Sequence, residues 1–382
     1  MFDLLRLGFP FFSKNQVNRA GEYLRKGIFR RNEADDWYYA EPIDILQGWQ
    51  ALHVAKLEEM RQLLTERART FDSDAMVASR LKSQASILQK LNRYPTLGLA
   101  QMQDIAAIRI VFETMEQVKQ FCASCHRQGD EFKLVKIKDY IAQPLETGLI
   151  GYRGIVIVFK VDVTHFNKTI SISFEVEVLT RLQHHWASAV EFVLSQRSLE
   201  KLPANWVSYF SLISSLFALQ ENLPVITKHQ QYTEDELKIQ LAKYQLTTML
   251  GSFIGLFLQT PIISFQEGSH VLLVLEKNKS ATEGYCFAGC PWNAPKIFSF
   301  VPSQHEMVFL LYQTFASHQD NMSGDMKTLL VATDKSEHLP KLFPNWCGNL
   351  NDFEKLTWEL VNQEELIKSI NRFQNRKDES NE

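Results

Sequence analysis

The sequence predicts a mixed α/β fold: a sheet flanked by helices, with a helical segment before it and a smaller α+β unit after it. Two observations carry the prediction. Residues 170–178 (ISISFEVEV) alternate strictly, with Ile170, Ile172, Phe174, Val176 and Val178 on one face and Ser171, Ser173, Glu175 and Glu177 on the other, the period of a half-buried strand. Three more strand-like runs precede it, IAAIRIVF (105–112), FKLVKIKDYI (132–141) and GIVIVFKVDV (154–163), and helical periodicity separates and follows them. Strands interleaved with helices on this scale form a layered α/β unit.

The elements follow in order. Lys14 to Lys26 reads as a short amphipathic helix, and Pro42 to Arg69 as a longer one carrying Trp49, Leu52, Leu57 and Leu63. Pro42 suits a first helical turn, where its missing N–H has no intrahelical partner to lose. A charged helix is expected over 76–93 and another from Met115 to Arg127. The helix after the fourth strand places Leu182, Trp186, Ala189, Val190 and Val193 on its inner side. Pro203 and Pro224 bracket an apolar helix, and a polar one spans 233–250. Beyond it come strands near 261–266, 270–276 and 296–301, a helix at 303–317, a strand at 327–333 and a closing helix at 352–371. The expected divisions are a helical segment at 1–75, the main α/β domain at 76–200, a helical connector at 201–250, an α+β domain at 251–375 and a polar tail at 376–382.

Bulk properties narrow the function. The chain has 382 residues, 45% hydrophobic and 22% charged, enough for two domains and a sizeable core. A formal charge of −3 argues against broad electrostatic binding to nucleic acid, although Arg80, Lys82, Lys90 and Arg93 form a local basic cluster. The opening MFDLLRLGFPFFSK carries Asp3 and Arg6 inside its apolar run, unlike a secretory signal. The apolar run from Thr247 to Ile263 is interrupted by Gly251, Ser252, Gly255, Gln259 and Pro261, too broken to span a bilayer. A cytoplasmic protein without membrane contact is expected. Five cysteines, an odd number, point to free thiols. Cys122, Cys125 and His126 match a c-type haem attachment spacing, but Val118, Phe121, Cys122 and Cys125 share the packed face of a helix, and packed thiols are expected there. Cys286, Cys290 and Cys347 are read in the same way.

Glu175 and Glu177 lie two apart on the polar strand face, roughly 6.5–7 Å from each other. Such a pair either holds a divalent cation over a phosphate substrate or is an ordinary solvated face. The basic cluster has the same two readings. On a helix, Lys82, Ser86 and Lys90 recur at i+4 and would present two ammonium groups and a hydroxyl together.

Four segments in order, RLKSQASILQKLNR (80–93), DIAAIRIVF (104–112), KDYIAQP with GYRGIVIV (138–158) and EVEVLTRLQHHWASAVE (175–191), resemble the synthetase domain of the RelA/SpoT family, a nucleotidyltransferase-like α/β domain of ATP-dependent pyrophosphokinases. KNQVNRAGEYLR, Trp49 with His53, LQHHWASAVE and TLLVATDKSEHLPKLFPNW together resemble a long single-synthetase branch with an extra C-terminal domain. The resemblance implies transfer of the β,γ-pyrophosphate of ATP to the 3′-hydroxyl of GDP or GTP, with Mg²⁺, making the (p)ppGpp of a bacterial stringent response. It implies that Arg80, Lys82, Ser86, Lys90 and Arg109 bind ATP, the two arginines against the adenine and the lysines on phosphates. Asp104 and Glu175 would hold the metal, and Glu175 would also help deprotonate the attacking hydroxyl. Tyr152 would stack on the acceptor base, Lys138 would contact acceptor phosphates, and Arg153 and Glu177 stand in the acceptor motifs.

Departures from the family pattern concentrate on the acceptor side. The histidine of its GYRxxH motif is Val156 here; in its ExQxRT motif the Gln is Glu177 and the Arg is Leu179; and the small residue of DIxGIR is Ala107. A carboxylate for an amide, and a lost guanidinium, both disfavour an anionic acceptor. Three outcomes remain open: alarmone synthesis, pyrophosphorylation of another 3′-hydroxyl such as the CCA end of tRNA or another nucleotide, and a catalytically silent nucleotide-binding regulator. No histidine adjoins an aspartate, as the family's hydrolase domain would require. The C-terminal domain could serve a second copy or a regulatory partner.

Overall fold

The computed structural model describes residues 8–29, 41–126, 132–146, 151–196, 204–249, 265–276 without 267–268, 295–317, 325–347, and 350–368 without 362, 363 and 366. Its elements are α1 (Lys14–Arg25), α2 (Pro42–Arg69), β1 (Met76–Leu81), α3 (Gln84–Arg93), β2 (Ala106–Phe112), α4 (Met115–Ser124), β3 (Lys133–Asp139), β4 (Ile155–His165), β5 (Lys168–Thr180), α5 (Arg181–Gln196), α6 (Ala204–Gln220), α7 (Glu234–Met249), β6 (His270–Glu276), β7 (Lys296–Phe300), α8 (His305–Ala316) and β8 (Met326–Thr333). Two single-turn helices (Leu339–Leu342 and Pro344–Cys347) and a closing helix (Asn351–Leu360) follow. The eight strands form one sheet in the order β3-β4-β5-β2-β1-β8-β6-β7. β2 and β5 run parallel, and every other neighbouring pair is antiparallel.

The sheet has two different faces. One is apolar: Val77, Ile108, Ile110, Ile157, Val176, Val178, Leu272 and Leu330 pack with Trp49, Leu52 and Met60 of α2 and with Val308 and Tyr312 of α8. The other is covered only at its flanks. Met76, Ala78, Val111, Val271, Leu329 and Val331 lie under Leu339, Leu342 and Phe343, while α5 packs with α6, α7 and the closing helix around Trp186, Tyr209 and Phe353. Charged side chains occupy the ground between these covers.

The alternation over 170–178 is realised in β5, whose burial alternates along its length. Phe166 and Asn167 turn the β4–β5 hairpin with φ of 48° and 56°, both positive, as a two-residue hairpin turn of this hand requires. Helix α2 spans the predicted Pro42–Arg69, and α4 carries Val118, Phe121, Cys122 and Cys125 buried.

One element departs from the expectation. The helix expected over 76–93 is a strand followed by a shorter helix. Met76–Leu81 lies between β2 and β8 and hydrogen-bonds on both edges, so sheet pairing overrides the helical spacing of its charges. Ser83 then caps α3, accepting from the Ser86 N–H. β8 pairs with β1 (Arg80 opposite Val331), so the 251–375 block adds three strands to the same sheet. Of the strand expected near 261–266, residues 261–264 lie outside the described residues, and 265–266 are not in a strand. Cys286, Cys290 and the 376–382 tail also lie outside them. No helix among the described residues is long and apolar enough to cross a membrane.

Candidate active site

Register places the candidate residues in two rows across the open sheet face. Arg80, Ala107, Glu175, Val158 and Lys136 are lateral neighbours on β1, β2, β5, β4 and β3; Ala78, Arg109, Glu177, Val156 and Lys138 form the next row. Cross-strand neighbours share a face, so every charged member of these rows points the same way. Glu175 and Glu177 lie inside β5, five and three residues before its end at Thr180.

Asp104 lies just before β2, buried, and meets two lysines. Lys82 Nζ donates to Oδ2 at 2.9 Å, and Lys90 Nζ stands 2.7 Å from Oδ1. Burial alone would raise the Asp104 carboxyl, but Lys82 and then Lys90 outweigh it and hold it well below the usual carboxylate range. Burial also lowers the Lys82 ammonium, against the pull of Asp104. Lys82 reaches this position from the junction of β1 and α3, and Lys90 from the last turn of α3. Ser86 sits on the same helix, and its hydroxyl accepts from the Ser83 hydroxyl at 2.8 Å. Arg80 forms no ion pair among the described residues, yet its charge acts on Lys82, Glu175 and Glu177. Glu175 is half-buried, with no hydrogen-bond or ion-pair partner among the described residues. Burial raises its carboxyl, and Glu177 and Asp104 add to the rise.

Glu177 and Tyr152, expected at the acceptor, form a closed network with Arg109, expected at the ATP. Arg109 Nε donates to Glu177 Oε2 at 2.8 Å, and its Nη2 donates to Glu191 Oε1 of α5 at 2.8 Å. The Tyr152 hydroxyl donates to Glu177 Oε1 at 3.1 Å, and the Tyr140 ring meets the Tyr152 ring edge-on at 5.7 Å. Burial would raise the Glu177 carboxyl, but Arg109 and then Arg80 hold it down, and burial with Glu177 pushes the Tyr152 phenol well up. Arg109 is thus paired with a carboxylate network and not with Asp104, which holds Lys82 and Lys90.

Arg153 is buried and turned away from this face. Its guanidinium donates to Ser214 Oγ at 3.3 Å, Ile141 O at 3.2 Å and Pro224 O at 2.7 Å. It ties the loop before β4 to α6 and the segment after it. Gly151 sits against α6 with φ of 97°, where an added Cβ would lie 2.8 Å from Ser214 Cβ. Lys138 stands on the edge strand with no ion pair among the described residues. Leu179 packs against Gly154, and Val156 is buried. The sequence did not single out Glu191, Tyr140, Gln50 or Tyr312; each meets the site through contacts that no local spacing announces.

Cationic side chains and carboxylates thus share the open face of a mixed sheet. Residues 79–194 match the family described as "Region found in RelA / SpoT proteins". Among curated proteins, the chain is 29% identical over 115 residues to GTP pyrophosphokinase YwaC of Bacillus subtilis, covering 29% of this chain and 53% of that protein. It is 28% identical over 129 residues to GTP pyrophosphokinase YjbM of the same organism, covering 33% and 59%. The chain therefore spans between half and three fifths of the length of these relatives. Among solved structures, small alarmone synthetase 1 of Bacillus subtilis bound to its product pppGpp superposes with a TM-score of 0.40 at 22% identity, over 46% of this chain and 93% of that one. A GTP pyrophosphokinase family protein of Streptococcus pneumoniae gives 0.41 at 19% identity, over 51% and 96%.

Proposed function

We propose that the chain is an ATP-dependent pyrophosphotransferase that moves the β,γ-pyrophosphate of ATP to the 3′-hydroxyl of GDP or GTP. The observation that carries this is the Lys82–Asp104–Lys90 cluster with an unpaired Glu175 on the same open sheet face. The 3′-oxygen attacks the β-phosphorus, the bond from the β-phosphorus to the bridging α,β-oxygen breaks, and AMP leaves. The proton of the hydroxyl passes to a carboxylate, for which Glu175 is placed. Lys82 and Lys90 exchange Asp104 for phosphate oxygens when ATP enters, and Arg80 supplies a third cation. Little covalent work falls to the protein; positioning and charge neutralisation dominate.

A divalent cation fits the donor set. The Asp104 charge reaches Glu175 and raises its carboxyl, Asp104 Oδ1 is buried with no aligned hydrogen bond, and no third acidic, histidine or cysteine ligand joins them among the described residues. Two carboxylates completed by phosphate oxygens and water is the usual Mg²⁺ arrangement. Mg²⁺ bound there would neutralise phosphate charge.

Glu177 gives weight to a second reading, in which the acceptor is a different 3′-hydroxyl, because Glu177 occupies both Arg109 and Tyr152. Both readings are tested by incubating the protein with Mg²⁺ and ATP labelled at the γ-phosphate, offering GDP, GTP, other nucleotides and deacylated tRNA in parallel. Label on GDP or GTP that vanishes in Glu175→Gln is the expected result. Label on tRNA alone favours the second reading, and no transfer to any acceptor overturns both.

A further inference from the structure

Lys82 is held by its backbone as well as by its side chain. Its N–H donates to Ile105 O at 2.8 Å, next to Asp104. Its carbonyl, past the end of β1, accepts from Gln50 Nε2 of α2 at 2.8 Å and from the Tyr312 hydroxyl of α8 at 3.1 Å. Gln50 Nε2 also donates to the Tyr312 oxygen at 3.2 Å, while Gln50 Oε1 accepts from Gln84 Nε2 at 3.4 Å. The proton count closes: the amide's two hydrogens go to the carbonyl and the phenol, and the phenol's one hydrogen goes to the carbonyl. Gln50 and Tyr312 are both fully buried. Tyr312 stacks beside Phe309 in the apolar core, where phenylalanine would pack without a polar atom to satisfy. The Lys82 carbonyl gives the hydroxyl its partner. Helix α8 is fastened to α2 twice more, through Gln313 Nε2 to Gln47 O at 3.3 Å and Gln47 Nε2 to Ser317 Oγ at 2.7 Å.

We propose that Gln50 and Tyr312 are positioning residues for Lys82, which makes helix α8 of the C-terminal block a working part of the donor site. The inference rests on the reading of Lys82 as an ATP phosphate ligand. Lys82 stands where a strand becomes a helix, and its carbonyl belongs to neither ladder. Without the two donors from α2 and α8, only the N–H to Ile105 would fix the peptide that aims the side chain at Asp104. A block 230 positions downstream in sequence thereby sets the direction of a donor lysine.

The test is ATP affinity of the full chain by titration calorimetry, together with separate KM values for ATP and for the acceptor. Tyr312→Phe removes one oxygen and is expected to weaken ATP about fivefold, the equivalent of one neutral hydrogen bond, with the acceptor KM unchanged. In a Lys82→Met background the same substitution should have no further effect on ATP. Val308→Ala, on the same helix but without a polar contact, should lower the melting temperature and leave ATP affinity intact. Equal ATP affinity in Tyr312→Phe and wild type overturns the inference, as does an equal loss in Val308→Ala. Failure of the wild type to bind ATP overturns the donor-site reading itself, and that is seen before any variant is compared.

Discussion

The two halves of the site are built from the same kinds of side chain and are wired differently. In the donor half two lysines share one aspartate, while Arg80 and Glu175 stay unpaired among the described residues. On the proposed reading, incoming phosphate takes the lysines from Asp104, exchanging one anionic partner for another. In the acceptor half Glu177 binds Arg109 and Tyr152 together, and Glu191 closes the other side of Arg109. A ligand must break those bonds to reach either residue. The donor half is poised for exchange and the acceptor half is locked, and the residue that locks it is the carboxylate standing where the family pattern has an amide.

The largest expected effect tests the donor half. Glu175→Gln keeps the side chain's size but removes the base and the charge facing the cation, so transfer should fall about 10³-fold, while ATP affinity without Mg²⁺ changes little. A labelled-transfer assay beside calorimetry checks both. An unchanged rate would remove Glu175 from the chemistry.

Next comes stability of the locked half. Arg109→Met leaves Glu177 half-buried without its main counter-charge, which should cost about 3–5 kcal/mol. Denaturant titration measures it. A cost under about 1 kcal/mol, that of an exposed ion pair, would show that the network is open to water and that the contrast between the halves is weaker than the geometry indicates.

A smaller effect comes from the floor beneath both halves. His53 is fully buried, with Nδ1 2.8 Å from Trp49 O and its ring 5.7 Å from that of Phe174. Burial lowers its titration from 6.5 to about 4. As pH falls the unfolded chain takes the proton first, so the folded state loses stability between pH 6.5 and about 4. The loss is on the order of 2 kcal/mol at pH 5. His53→Leu should flatten that part of the pH dependence of the melting temperature. His229 and His270, also lowered to about 4 by burial, and His184 and His185, lowered by burial too, add to the slope.

How far the sequence foretold these halves depends on where the physics is local. β5 was readable because one face is buried and the other polar, which imposes alternation. β1 was not: residues 76–79 are buried on both faces, so no alternation exists, and the polar side chains at 80, 82, 86 and 90 mimic a helix. The Asp104–Lys82–Lys90 cluster came through the family motifs in order. Its lock on the other side did not, because Arg109 meets Glu191 across 82 positions; nor did the anchor of the cluster itself, where the Tyr312 hydroxyl meets Lys82 across 230. Arg153 shows the reverse failure: its motif suggested the acceptor, and its three buried hydrogen bonds fasten a loop instead.

The smallest predicted change is the one that decides what the lock is for. Glu177→Gln retains an oxygen that can accept from Arg109 or Tyr152 and removes the charge that holds Arg109 most strongly. The guanidinium then keeps Glu191, itself nearly half exposed, as its only carboxylate partner. Transfer to GDP or GTP should rise about tenfold in kcat/KM, the equivalent of roughly 1.4 kcal/mol, because Arg109 and Tyr152 become available without first breaking a buried ion pair. The Lys82 and Lys90 contacts to ATP phosphates should stay unchanged, since the Asp104 cluster does not include Glu177. A gain confined to guanine nucleotides would mean that the carboxylate restrains an alarmone synthetase. A loss of transfer to GDP or GTP would instead make Glu177 part of acceptor recognition, and the locked half would then be a site waiting for a ligand with hydrogen-bond donors to share its carboxylate.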